Sequence, residues 1–236
     1  MAEVDTGARF AMVLRLARQV TGRHDLDDVL AETFRCLRPM VAFGGGSIQL
    51  VDDEGWIQMA AADPPAPAHV LAHRVPLGTS VAGRIVLTEQ PVYLPDLLAE
   101  APSRKHHAVS NGVRSYFGVP LHADGAAIGV LQVDSPEPDA WGEQDREIFL
   151  AVAPIVAAAI QNARAHARAA SARTQSAAAG DRLQEARHLL AALHDARARH
   201  DEAETDHLLG RLDAVIGGLP DVQRRGVRLP EQRLVV

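Results

Sequence analysis

The chain has 236 residues, 47% of them hydrophobic, and its 24 Lys and Arg against 30 Asp and Glu leave a net charge of −6; that length suits one domain plus an appendage, since a single core usually occupies about 100–150 residues. No extended basic surface is available to neutralise a phosphate backbone, so no nucleic-acid partner is expected, and the lone Cys36 excludes an internal disulfide, a Cys-based zinc cluster and a CxxC redox pair. No uninterrupted apolar run approaches the roughly 20 residues that cross a bilayer and no signal-peptide pattern opens the chain, so a cytoplasmic protein without a membrane partner is expected.

The nine aromatic residues all lie between Phe10 and Phe149, so only the first two-thirds is equipped to build a mixed core. Over 5–21, Phe10, Val13, Leu14, Ala17 and Val20 recur at helical spacing with Leu16 widening the apolar face, and Gly22 ends the helix. Asp25 is placed to cap a second helix with an acidic first turn, Asp27 and Asp28, and a buried stripe of Leu26, Val29, Leu30, Thr33 and Leu37.

Two strand-like runs, Ser47–Val51 and Trp56–Ala60, flank the polar turn Asp52 to Gly55 and read as a hairpin. The Pro-rich stretch Asp63–Pro67 is a loop before a short strand near His73–Pro76. Thr79 or Ser80 can cap a helix over Val81–Thr88, Pro91–Leu94 is a brief strand, and 97–112 is irregular or weakly helical. RSYFGVPLHA (114–123) and AAIGVLQVD (126–134) form two rich strands around Asp124-Gly125, apolar on both sides and so covered on both faces. A helix starts at Glu143 and runs to at least Ala170, with Pro154 inside it.

Several strings in this order resemble the GAF domain, a sensory module of signalling proteins. They are Leu77-Gly78-Thr79-Ser80-Val81-Ala82-Gly83, Pro95-Asp96, Val113-Arg114-Ser115, Gly118-Val119-Pro120-Leu121, Asp124-Gly125, Ile128-Gly129-Val130-Leu131, and the ending Ala157 to Arg164, AAAIQNAR. The resemblance covers roughly residues 10–165 and implies an α+β fold: a central antiparallel sheet with helices on both faces. The two N-terminal helices and the 143–165 helix would cover one face. The 80–88 helix and the 97–112 segment would cover the other, more loosely, and enclose a small-molecule pocket.

On that resemblance the candidate ligand contacts are Gln49, Thr79, Val92, Asp96, His107, Ser115 and Phe117, which sit on or beside the walls of such a pocket. No cofactor is identified. Haem-binding relatives use a His where this chain has Ser110, with His106 and His107 three and four residues too early. Cyclic-nucleotide relatives carry an Asn-Lys-Phe-Asp-Glu set that is missing here. Bilin-binding relatives need a pocket Cys, and the branch that reduces free methionine sulfoxide relies on several, whereas Cys36 lies on the second helix and reads as a small buried hydrophobe. Gly44-Gly45-Gly46 lacks the Lys-Ser/Thr of a phosphate loop. No catalytic or metal set emerges, so a non-enzymatic protein is expected.

Residues 1–165 are therefore taken as the GAF-like domain, 166–220 as a helical extension and 221–236 as a disordered tail. Leu183, Ala186, Leu190 and Leu193 form one apolar stripe and Leu208, Leu209, Leu212, Val215, Ile216 and Leu219 a second, separated by the polar Arg197–Asp206. One long helix and a hairpin both fit, and His188, His194, His200 and His207 lack the i, i+4 spacing that chelates a metal. The expectation is a sensor that binds a small molecule and relays it through dimerising helices to a signalling partner. The alternatives are a ligand-free dimerisation scaffold and a haem-based or redox sensor.

Overall fold

The computed structural model describes residues 6–99 and 112–219. Its first helix, α1 (Thr6–Thr21), buries Leu16 and Val20 completely, whereas Phe10 and Leu14 stay 65% and 45% exposed. At roughly 100° per residue, Phe10 and Leu14 lie about 120° around the helix from Leu16 and Val20, so the two pairs cannot face one neighbour. The expected stripe thus splits into a buried ridge and an exposed one. Asp25 caps α2 (Leu26–Leu37), accepting from the backbone N–H groups of Asp27 and Asp28.

Six strands follow: β1 (Gly45–Val51), β2 (Trp56–Asp63), β3 (Arg74–Pro76), β4 (Val92–Leu94), β5 (Ser115–Ala123) and β6 (Ala126–Ser135). They form one sheet in the order β3-β2-β1-β6-β5-β4, every neighbouring pair antiparallel. The β1–β2 turn uses Gly55 at φ +80°, and the Asp52 side chain accepts from Glu54 and Trp56 N–H. The two-residue β5–β6 turn needs positive φ at both Asp124 (51°) and Gly125 (81°), the mirror-image turn that matches strand twist. A short helix, α3 (Ala68–Leu71), stands in the loop after the Pro-rich stretch and has no apolar periodicity to announce it.

One face of the sheet packs Phe117, Val119, Leu121, Leu131, Val133, Ile48 and Leu50 against α1, α2 and the first part of α5 (Glu143–Ala198). The opposite face packs Val130, Tyr116 and Ile57 against Ala82, Ile85 and Val86 of α4 (Val81–Thr88). The helices-on-both-faces arrangement read from the sequence is what the chain adopts. Residues 100–111, the core of the expected second cover, lie outside the described residues.

The central strands approach closely at Gly129, where an added Cβ would fall 2.3 Å from the Gln49 carbonyl and 2.8 Å from a Leu50 methyl. Gly129→Ala is therefore expected to cost about 1–3 kcal/mol through forced strand displacement, read as a fall in the urea midpoint at unchanged m-value; an unchanged midpoint would show that the strands part freely.

An 18-residue window of α5 reaches a mean hydropathy of 1.6, long and apolar enough by composition to cross a bilayer, contrary to the expectation that no stretch would be. Half of that window is buried inside the protein, because α5 supplies Phe149, Val152, Val156 and Ile160 to the main core. Pro154 interrupts the run of apolar letters, but the helix continues through it.

The described residues divide between Ala167 and Arg168 into two compact units. The second is a helical hairpin: the later residues of α5 turn at His200 (φ 58°) into α6 (Glu202–Gly217), whose cap Asp201 accepts from Glu204 N–H. Its core is Ala186, Leu189, Leu193, Ala196, Leu208 and Leu212, and Arg182 donates to the Gly218 carbonyl at the open end. His188, His194, His200 and His207 are all exposed. The expected tail, 221–236, lies outside the described residues.

Candidate functional site

Strand alternation sends Tyr116 and Gly118 of β5, and Val130, Gln132 and Asp134 of β6, to the face opposite the main core. Register places Gln132 between Ser47 of β1 and Gly118 of β5, and Asp134 between Gly45 and Tyr116. The two cross-strand neighbours of Gln132 are thus small, and beside Gln132 and Asp134 lies a cavity of about 220 Å³. Gln49, Ser80, Tyr116, Gln132 and Asp134 give it polar walls, and Val81, Ala82, Leu94, Leu97 and Val113 apolar ones.

Helix α4 closes one side because Ser80 caps it, its Oγ accepting from Gly83 N–H at 3.0 Å. Gly83 in turn lets the preceding turn pass close by, since a Cβ there would sit 2.8 Å from Gly78 N. Gly118 does the same for Tyr116: an added Cβ would meet the phenol oxygen and an Ile85 methyl at 2.6 Å. The Tyr116 ring lies across Gly118 and its hydroxyl donates to Gln132 Oε1 at 2.8 Å. Burial pushes the Tyr116 phenol well above its ordinary range. It also raises the Asp134 carboxyl, against the opposing pull of the Gly45 N–H and the Arg38 charge.

Of the residues nominated from sequence, Gln49 lines this cavity. Val92 packs in the apolar cluster under α4. Thr79 is exposed and donates to the Pro76 carbonyl, leaving the cap to Ser80. Asp96 is held by Arg114 through two hydrogen bonds of 3.0 and 2.8 Å and accepts from Leu98 N–H, a clamp that joins the end of β4 to the start of β5 and keeps its carboxyl below the usual range. His107 lies outside the described residues.

Ser115 and Phe117 are placed on the other side of the sheet. Ser115 is fully buried and donates to the Glu137 carbonyl, and Phe117 packs edge-on against Phe149 at 5.7 Å. Alternation is the reason: Phe117, Val119 and Leu121 form one apolar row, so Tyr116 must face the cavity. The same rule exposes Gln132 and Asp134, two polar residues at i and i+2 in a strand otherwise built for burial. Those two letters were the available signal for the site.

Cys36 stands apart, beside a separate hollow lined by Met12, Arg15, Gln19, Arg35 and Pro39. Its thiol donates to Gln19 Oε1 at 2.9 Å, and burial, with the Glu32 carboxylate beside it, pushes it up to about 11. Glu32 is itself buried and held ionised by Arg35 and by Arg23 at 2.9 Å. A buried thiol raised to about 11 predicts that a disulfide reagent at about pH 8 will label native Cys36 at least about tenfold slower than the urea-unfolded chain, the scarcer thiolate being partly offset by its greater nucleophilicity. Comparable rates would show that the thiol is open and activated.

A family model described as GAF domain matches residues 23–161. The Nif-specific regulatory protein of Azorhizobium caulinodans is 24% identical over 223 residues, covering 90% of this chain and 34% of that protein. That of Azospirillum brasilense is 29% identical over 115 residues, covering 47% of this chain and 18% of that protein. The chain thus matches a fifth to a third of the length of these relatives. Among solved structures, the GAF domain of a phosphoenolpyruvate-protein phosphotransferase from Coxiella burnetii aligns with a TM-score of 0.61 at 21% identity, over 68% of this chain and 96% of that one. Free methionine-R-sulfoxide reductase from Neisseria meningitidis, solved with its substrate, aligns with a TM-score of 0.59 at 25% identity, over 70% of this chain and 95% of that one.

Proposed function

The chain belongs to the GAF domain family, a sensory and signalling module, and from that premise we propose that it is a cytoplasmic sensor whose cavity binds a small molecule and whose helices pass the bound state to a partner. The observation that carries this reading is the polar row Gln132–Asp134, flanked by Gly45, Ser47 and Gly118. Polar side chains in a central strand beside an unfilled volume weaken the core unless a ligand uses them.

A relay has a physical route. The β5–β6 turn is tied to α5 by Gln161 Nε2 donating to Asp124, so movement of β6 around a ligand bears on the helix that leads into the hairpin. A ligand that binds one arrangement better shifts the population toward it. Pairing of two copies through terminal helices is supported by Phe10, Leu14 and Leu150, large apolar side chains left 65%, 45% and 46% exposed on α1 and α5.

The reading is non-enzymatic. The reductase likeness carries no cysteine chemistry here, because the chain's one cysteine lies outside the cavity and is kept protonated. The regulatory relatives fit a control role.

Native mass spectrometry of the freshly isolated full chain tests the proposal. A dimer mass with a non-covalent small-molecule increment that disappears on denaturation is expected. A bare monomer, together with a melting temperature unmoved by a metabolite extract, would sink both ligand and dimer.

A further inference from the structure

Resting on the reading that the cavity holds a small molecule, we infer that its ligand carries a compact cationic, hydrogen-bond-donating head, an ammonium, amidinium or guanidinium, seated on Asp134. The Asp134 carboxylate folds over Gly45, where an added Cβ would lie 2.9–3.0 Å from its two oxygens, and Asp134 lines the cavity.

Among the described residues, no cation lies within ion-pair distance of it. Arg38, whose charge acts on it, is engaged elsewhere: its guanidinium bonds Asp63 at 2.7 Å and the Phe43 carbonyl at 2.7 Å. A desolvated carboxylate without a counter-ion is costly, and a ligand that brings the missing charge recovers that cost as binding energy.

The neighbouring groups suit the same ligand. Tyr116 spends its one proton on Gln132 Oε1, which leaves the phenol oxygen as an acceptor facing the cavity. Gln49 makes no side-chain hydrogen bond among the described residues, so its amide can turn its oxygen inward. The Asp134 carboxylate, which also accepts from Gly45 N–H, lines with Tyr116 and Gln49 a space of about 220 Å³, below the roughly 300–1,000 Å³ of drug-sized sites. The apolar walls Leu94, Leu97 and Val113 then take a short hydrocarbon stem.

One feature points the other way. The first turn of α4, Val81 and Ala82, also lines the cavity, and helix N-termini favour anions. The test is therefore a matched series on the full chain, n-butylammonium, butyramide and butyrate, titrated by NMR with the resonances of Gln49, Tyr116 and Gln132 as the report. Butylammonium should bind at least about tenfold tighter than the other two, a margin of about 1.4 kcal/mol. Asp134→Asn should bring ammonium and amide to within about threefold while leaving amide binding in place.

If butyrate or butyramide ranks first, or if Asp134→Asn leaves ammonium affinity unchanged, the cationic class is wrong and the ligand cavity survives. If none of the three moves those resonances at about 50 mM, weak even for five- or six-atom ligands, the cavity reading itself fails and this inference with it. Should the Asn variant not fold, the ranking on the unaltered protein decides alone.

Discussion

Phe149→Ala is expected to destabilise the first unit by about 3–5 kcal/mol, the range for emptying an aromatic site in a packed core. Phe149 is 1% exposed and meets Phe117 edge-on at 5.7 Å, and Phe117 in turn meets Tyr93 at 5.9 Å. Tyr93 contacts Trp141, whose indole donates to the Ala42 carbonyl at 2.9 Å. Removing one ring opens a cavity that a sheet on one side and helices on the other cannot collapse to fill. Urea unfolding followed by Trp fluorescence measures the loss. A change under about 1 kcal/mol would mean that the aromatic chain is not the keystone of this core.

Leu212→Asp is expected to abolish the packing of the hairpin while leaving the first unit folded. Leu212 is fully buried in a cluster of six side chains on α5 and α6, four of them leucines and two alanines. A carboxylate there meets no cation within that cluster, a cost of about 3 kcal/mol or more set against very little apolar area. Ion pairs cannot compensate, since Arg199–Glu204 and Arg211–Glu185 are exposed and such pairs contribute about 0–1 kcal/mol. Limited proteolysis with mass analysis reads the outcome as new cleavage after residue 168 with residues 6–99 and 112–167 still protected. Unchanged protection of α6 would show that the hairpin is held by more than its own core.

Much of the fold was legible because it is written in local chemistry. Asp25, and either Thr79 or Ser80, announce two helix starts as caps, Gly55 and Asp124-Gly125 announce two turns through their tolerance of positive φ, and runs such as 114–123 and 126–134 announce central strands by their apolar density. The start of α5 at Glu143 follows from the change of period alone. α3 was not legible, since four residues carry no periodicity, and the buried side of α1 was misjudged, since Phe10 and Leu14 are as apolar as Leu16 and Val20.

The site was less legible than the fold. Gln49 was within reach, but Ser115 and Phe117, nominated for lying on or beside a wall of the pocket, face the main core, because nearness to an element does not give parity along it. Gln132 and Asp134 carried the signal, being polar at alternate positions of an otherwise apolar strand. The sign of the cavity's chemistry was out of reach, because it depends on which charges pair. Arg38 is spent on Asp63 and Arg114 on Asp96, while Asp134 has no such partner among the described residues.

By itself, then, the sequence determined the order of elements, the caps and turns, and the contrast between an aromatic-bearing domain and an aromatic-free helical third, because each depends on interactions spanning only a few residues. The tertiary structure decided which face each strand residue takes, that the second apolar stripe folds back on the first as a hairpin, and that a carboxylate beside a cavity has no counter-ion among the described residues. Those outcomes depend on register and on contacts between residues as far apart as Gly45 and Asp134, which no local pattern encodes.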